Sequence, residues 1–377
     1  MRTIKITILL MLAATVAAAQ DASSLYNEGL ELKKQDSKAA CDKFKQAVQL
    51  KPDYTEAIYE MGWCQNDQKQ YRDALSSFRK IIKVWASIPK LNFETGYAFE
   101  KLEQTDSAIY YYNNCLQLKS DYSLAYKQLG MIAYSKNESE DKILDYFSKY
   151  EASAKAPITD YLYWYRKGFT QNAKKDYEGA RISLKKSLES KTDYTNTYLE
   201  LGFASSKLKQ NDDAIAYYKK AIEMDPKSHI GYNGIGEVYR DNIKDMDEAM
   251  NWYNKALAIN SNERKANFGM GYCLNSKAKY YDAITYLKKS IAMEPTYTAA
   301  YVEIGYSYYR TNDAEQGESN LKKALQLNNK NENARYYLGL IYISQGKKSM
   351  AQQMVDELKQ LNSKNAAGLQ DKVTAMN

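Results

Sequence analysis

The chain has 377 residues, 44% hydrophobic and 26% charged, with a formal net charge of +7 and one histidine. Charges of both signs are interspersed, as in Glu31-Lys33-Lys34-Asp36, so there is no basic stripe of the kind that follows a nucleic-acid backbone, and no nucleic-acid partner is expected. The lone His229 rules out a histidine-rich metal site. Cys41, Cys64, Cys115 and Cys273 lack metal-ligand spacing, so no metal or other cofactor is expected.

Residues 1–19 read as a signal peptide. Arg2 and Lys5 open it, Ile6 to Val16 form an apolar run broken by Thr7 and Thr15, and Ala17-Ala18-Ala19 supplies small residues for cleavage. The run is shorter than the roughly twenty apolar residues of a membrane helix, which favours cleavage over retention as an anchor. No cysteine precedes Cys41, which disfavours a lipid anchor, and no later segment is apolar enough to span a bilayer. The expectation is an exported chain, periplasmic or extracellular.

After this segment ten glycines form a lattice: Gly29, Gly62, Gly96, Gly130, Gly168, Gly202, Gly236, Gly271, Gly305 and Gly339. Their intervals are 33, 34, 34, 38, 34, 34, 35, 34 and 34 residues. A period near 34 predicts one helical hairpin written ten times over 20–361, each copy burying its apolar face on its neighbours. About twelve residues after each glycine comes a small residue, as at Ala40, Ala74, Ala214 and Ala283. Four further on comes a large one, as at Phe44, Phe78, Tyr218, Leu287 and Val355, and three beyond that usually another small one. Offsets of four and three mark one face of a helix, the second of each pair. The first helix carries an aliphatic before the glycine (Met61, Leu129, Leu201, Ile235) and often an aromatic four before it (Tyr126, Trp164, Tyr198). Pro52, Pro226 and Pro295 follow second helices, and polar runs such as Lys209-Gln210-Asn211-Asp212 join the two helices of a repeat.

Three places depart from the pattern. Lys142 stands where alanine is expected, with Ile143 and Phe147 restoring the stripe one residue later, and the chain leaves this repeat through Ala156-Pro157. Lys167 precedes Gly168, where an aliphatic is usual. A bend is expected near 137–160, between four repeats and six. Asp241 to Asp247 hold one extra residue, expected to be harmless.

These residues resemble the tetratricopeptide repeat family. The pattern aromatic–x–x–Leu–Gly, then Ala–x–x–x–(Phe/Tyr/Leu)–x–x–Ala, then Pro is seen in Tyr198, Leu201, Gly202, Ala214, Tyr218, Ala221 and Pro226. The resemblance runs through nearly all of 20–361. It implies an all-α, right-handed solenoid with first helices inside and second helices outside. Residues 362–377 are expected to close the stack through Ala366, Ala367, Leu369 and Val373.

The resemblance also implies that two positions of each first helix look into a concave groove. One residue after the lattice glycine stand Trp63, Tyr97, Phe169, Phe203, Tyr272 and Tyr306, and four before these positions stand Tyr59, Phe93, Tyr165, Phe268 and Tyr336. The first set is commonly polar in relatives, so its aromatic bias disfavours a charged clamp for terminal carboxylates. The chain has 36 tyrosines against 8 phenylalanines, which suits wetted aromatic surface. Aromatics at helical spacing also pack between helices, and this alternative stays open. Asn233 and Glu237 interrupt the stripe, so a partner is expected on two segments, Tyr59 to Tyr97 and Phe268 to Tyr306. Cys41 and Cys64 can pair across the first repeat interface; the plainer reading makes them two small buried hydrophobes.

No phosphate loop or nucleophile elbow is present, and carboxylates such as Glu138, Glu140 and Asp141 sit in polar surroundings. The expected function is non-enzymatic: a protein-interaction scaffold of the cell envelope holding a partner protein or peptide. Carbohydrate or cell-wall glycan binding is the alternative, because aromatic rings stack on sugars too. A self-assembling structural protein is a third.

Overall fold

The structure, a computed structural model, describes residues 20–376; the expected signal segment lies outside them. Every regular element among the described residues is helical. The chain divides into two compact units between Thr159 and Asp160. The first holds four hairpins: α1 (20–32) with α2 (Ser37–Leu50), α3 (Thr55–Asp67) with α4 (Tyr71–Ile81), α5 (Pro89–Lys101) with α6 (Thr105–Leu118), and α7 (Ser123–Ser135) with α8 (Glu140–Ser153).

The second unit holds six. They are α9 (Tyr161–Ala173) with α10 (Tyr177–Ser190), α11 (Thr195–Lys207) with α12 (Asn211–Met224), and α13 (His229–Glu237) with α14 (Met246–Ile259). Then come α15 (Arg264–Ser276) with α16 (Tyr280–Met293), α17 (Thr298–Arg310) with α18 (Ala314–Leu327), and α19 (Glu332–Ser344) with α20 (Lys348–Gln360). A last helix, α21 (Asn365–Thr374), packs on α19 and α20.

Each hairpin is closed at its lattice glycine. A Cβ on Gly202 would stand 2.8 Å from the ring of Tyr218, and one on Gly271 would stand 2.5 Å from Cγ of Leu287. Both are closer than carbon atoms approach, so the bare glycine backbone is what lets the second helix deliver a large side chain. Leu287 and its counterparts Phe44, Tyr112, Leu184 and Tyr253 are fully buried, each contributing about 1.5–3 kcal/mol from apolar burial. In the fourth hairpin Phe147 meets Gly130, while Lys142 turns outward onto Glu138. The stripe is therefore kept by a one-residue shift. In the tenth, Leu369 of α21 meets Gly339 in place of Val355, whose short branched side chain is buried beside it. Ala366, Leu369 and Val373 face inward, whereas Ala367 is exposed and takes no part in closing the stack.

Within each unit the first helices lie on the inside of the curve. In the first unit α3 touches α5, and in the second α9, α11, α13, α15, α17 and α19 touch in succession. The second helices do not pack on one another in this way, so the hairpins splay on that side.

The extra residue of the seventh repeat sits in a π-helical turn at Val238–Ile243, which continues α13. That wider turn places Arg240 within 6 Å of the ring centroids of Tyr253, Phe268 and Tyr272, with Asp241 accepting two hydrogen bonds from it at 2.7 Å. The insertion thus builds a cation–aromatic cluster.

The turn joining the helices of a hairpin needs one residue in the left-handed region. Lys69, Glu103, Asn137, Lys175, Lys209, Lys244, Ala278, Asn312 and Gly346 supply it, with φ between 51° and 72°. Ala278 has a Cβ to strain and no side-chain acceptor to offset it, whereas Gly346 meets nothing within 4 Å. Ala278→Gly should therefore stabilise the second unit by about 1 kcal/mol, and Gly346→Ala should destabilise it by a similar amount. Urea midpoints read both.

Cys41 and Cys64 form a disulfide with Cα atoms 5.6 Å apart, joining α2 to α3, so they are not the two separate hydrophobes of the plainer sequence reading. Cys115 and Cys273 are buried thiols, pushed up to about 12 by burial. The bridge closes a loop between residues 23 apart, and its reduction should cost about 2–4 kcal/mol of first-unit stability. Thermal melts with and without reductant measure it, with Cys41→Ala/Cys64→Ala as the control.

Candidate aromatic binding face

Aromatic side chains on the first helices fall into two groups. Those three residues before the lattice glycine reach towards the next repeat. The Tyr59 ring lies 5.8 Å from Trp85, Phe93 5.2 Å from Tyr122, Tyr165 5.0 Å from Tyr194, and Phe268 5.0 Å from Tyr297. Tyr59 and Phe93 are buried, and Tyr336 packs edge-on against Tyr337. Tyr59, Phe93, Tyr165 and Phe268 thus carry repeat-to-repeat packing, the alternative left open by the spacing.

Residues one after the glycine behave differently. Trp63, Tyr97, Phe203, Tyr272 and Tyr306 are half-buried, and Phe169 is 39% exposed. Three of them share one arrangement. Tyr71 meets Tyr97, Tyr177 meets Phe203 and Tyr280 meets Tyr306, edge to face at 5.9–6.2 Å. Lys101, Lys207 and Arg310 stand over the same rings at 4.9–5.7 Å. Each ring is thus held upright at one edge, with part of its surface facing the inner side.

Beside these rings runs a polar clamp that tracking apolar positions had missed. Asn66 donates to the backbone oxygen and Oε2 of Glu94, at 3.0 and 2.9 Å. Asn172 does the same to Glu200, and Asn275 to Glu303. Asparagine stands four residues after one lattice glycine and glutamate two before the next, a spacing present in the sequence. Burial pushes all three carboxyls above the ordinary glutamate range, against the asparagine hydrogen bonds that pull them down. In the first hairpin Lys33 and Glu60 form an ion pair at the same two positions, and Lys33 also lies 3.9 Å over the Trp63 ring.

Two cavities open on this face. One, of about 300 Å³, lies in the first unit between Trp63, Tyr97, Asn66, Glu94 and Leu124. The other, of about 550 Å³, lies in the second unit between Phe169, Phe203, Asn172, Glu200 and Ile230. Asn233 and Glu237, expected to interrupt the binding stripe, line the larger cavity, and neighbouring Gly234 contributes only backbone there. The larger of the two cavities therefore lies at the interruption.

At the third clamp, Ser307 Oγ donates to Asn275 Oδ1 at 2.6 Å. Alanine occupies the serine position in the other two, Ala98 and Ala204, and there the Oδ1 atoms of Asn66 and Asn172 are buried without a hydrogen-bond partner among the described residues. Ala204→Ser should satisfy Asn172 and raise stability by about 1 kcal/mol, while Ser307→Ala should cost a comparable amount. Denaturant midpoints of the two variants check this.

A model described as Tetratricopeptide repeat matches residues 195–228, 231–263 and 298–331, and a second of the same description matches 56–86. Among curated proteins, Tetratricopeptide repeat protein 37 of Xenopus laevis is 30% identical over 128 residues, 33% of this chain and 7% of that protein. Anaphase-promoting complex subunit 3 of Schizosaccharomyces pombe is 24% identical over 139 residues, 37% of this chain and 21% of that protein. The chain thus spans less than a quarter of either relative. Among solved structures, the Cut9–Hcn1 hetero-tetramer of the APC/C has a TM-score of 0.54 at 11% identity, covering 97% of this chain and 98% of that one. PilW, a type IV pilus biogenesis factor, has a TM-score of 0.51 at 20% identity, covering 56% of this chain and 98% of its own. These two show a shared fold. With the glycine lattice and the helical hairpins in agreement with the matched segments, the chain contains tetratricopeptide repeats.

Proposed function

We propose that this chain is a non-enzymatic scaffold of the cell envelope that holds a segment of a partner polypeptide against the inner faces of its first helices. The observation that carries this reading is the recurrence of the half-buried ring one residue after the lattice glycine. A ring of this kind offers large contact area at small entropic cost and tolerates water at its edge. Tyrosine edges and overlying cations fix these rings in place, so a partner meets a preorganised surface. An oxidising compartment suits the Cys41–Cys64 bridge, in keeping with export through the signal segment read at 1–19. No helix among the described residues is long and apolar enough to cross a membrane.

The test uses the three equivalent rings. Replacing Tyr97, Phe203 and Tyr306 together by alanine should weaken capture of polypeptide from envelope extracts at least about tenfold, since anchoring aromatics contribute about 2 kcal/mol each. The melting temperature should fall only slightly, because the large residues of the second helices fill the hairpin interiors. Unchanged capture, or binding of cell-wall glycan fragments with no polypeptide retained, overturns the reading.

A further inference from the structure

The two cavities are the same site built twice. Trp63 corresponds to Phe169, Asn66 to Asn172, Glu94 to Glu200 and Tyr97 to Phe203, each pair offset by one constant interval along the chain. Lys69 and Tyr71 of the first likewise match Lys175 and Tyr177 of the second, and Leu124 matches Ile230. Cavities found separately in the two units thus agree position by position.

The lining defines a ligand chemistry. Each cavity has aromatic walls, and an aliphatic side chain stands exposed at its rim, Leu124 at 45% and Ile230 at 50%. At its side sits a carboxylate with Oε2 held by asparagine; the second oxygen has no hydrogen-bond partner among the described residues. An ionised carboxylate is an acceptor only, and a cationic donor completes it. Aromatic walls leading to that acceptor suit a long aliphatic stem ending in a charge. The second cavity is also the more acidic, since Glu237 and Glu263 join Glu200 against Lys175 and Lys265.

The third clamp shows what leaves the first two open. Tyr337 stands where the others have Gln128 and Gly234, its ring 4.8 Å from that of Tyr306. Asn275 and Glu303 there hold the repeats together with a tyrosine over the place a ligand would take.

Building on the scaffold reading above, we infer that the chain carries two equivalent sites, one in each unit. Each receives a lysine or arginine side chain of the partner polypeptide, with its stem along the aromatic wall and its charge on Glu94 or Glu200. The partner is thus a basic and apolar segment presented twice, or two copies of it. Gly234 in place of Gln128 leaves that space to the ring of Tyr218, which joins the wall of the second site.

The test is selection from a displayed dodecapeptide library on the chain without residues 1–19, followed by calorimetry with the peptides recovered. Sequences with lysine or arginine beside apolar residues should be enriched, and two should bind per chain. Glu94→Gln and Glu200→Gln keep an acceptor for the asparagine, so the fold is retained, and each should weaken one site about tenfold or more. Gln128→Tyr should close the first site alone without touching its carboxylate. Enrichment of acidic or neutral peptides overturns the inference, as does equal binding of basic peptides by the Glu94→Gln/Glu200→Gln double variant. If such peptides still require Tyr97 and Phe203, the scaffold reading survives and the site assignment fails. If no peptide is enriched and glycan fragments bind, both fall.

Discussion

In each hairpin the first helix loses its side chain where the second brings a large one, and the rest of the structure follows from that contact. With a Cβ at the lattice position, Phe78, Tyr218 or Leu287 would be expelled from a space it now fills. The contact fixes how closely the two helices approach, and so how the next hairpin is offered its packing surface. Helix propensity opposes it, because an interior glycine costs about 1 kcal/mol relative to alanine. Burial of the partner side chain outweighs that cost. At the end of the chain α21 lends Leu369 to the tenth glycine, so the last hairpin closes on a helix from outside the repeat.

Between hairpins the bonding is of another kind. Rings before the glycine stack on the start of the next first helix, and asparagine reaches a glutamate of that helix by two hydrogen bonds at once. The asparagine accounts for both the backbone and the side-chain oxygen, so helix position and carboxylate orientation are set together. The result is a half-buried carboxylate with one oxygen held by the asparagine. A stack that needed nothing but cohesion could use Ile or Leu in these places. Half-buried carboxylates beside half-buried rings are what distinguish this face from the outer one.

Repetition then allows variation without loss of fold. The clamp at Glu94, Glu200 and Glu303 is constant, while the residue opposite is glutamine, glycine or tyrosine. With this and other lining positions varied, the inner surface passes from a cavity of about 300 Å³ to one of about 550 Å³ and, at the third clamp, to a Tyr337 ring packed against Tyr306. The π-helical turn after α13 is a second such variation. It accommodates an inserted residue by moving Arg240 among three rings and leaves the flanking hairpins in register.

Much of this was legible in residue order. The glycine period, the small–large–small stripe and the shift from Lys142 to Ile143 all express contacts between a helix and its immediate neighbour, and such contacts recur at fixed offsets. The aromatic positions were legible as positions, but their roles were not. Tyr59 and Tyr97 both follow helical spacing, and only the placement of the next repeat makes the first a packing residue and leaves the second half-open. Asn66 and Glu94 lay unremarked because neither is apolar; they become a pair only when two hairpins stack. The bond between Cys41 and Cys64 likewise required α2 and α3 to bring two distant Cα atoms to 5.6 Å. The sequence by itself determined the repeating unit, since local packing has a period. Which faces stay open, and what chemistry they present, was decided by tertiary structure, because those properties belong to the space between repeats.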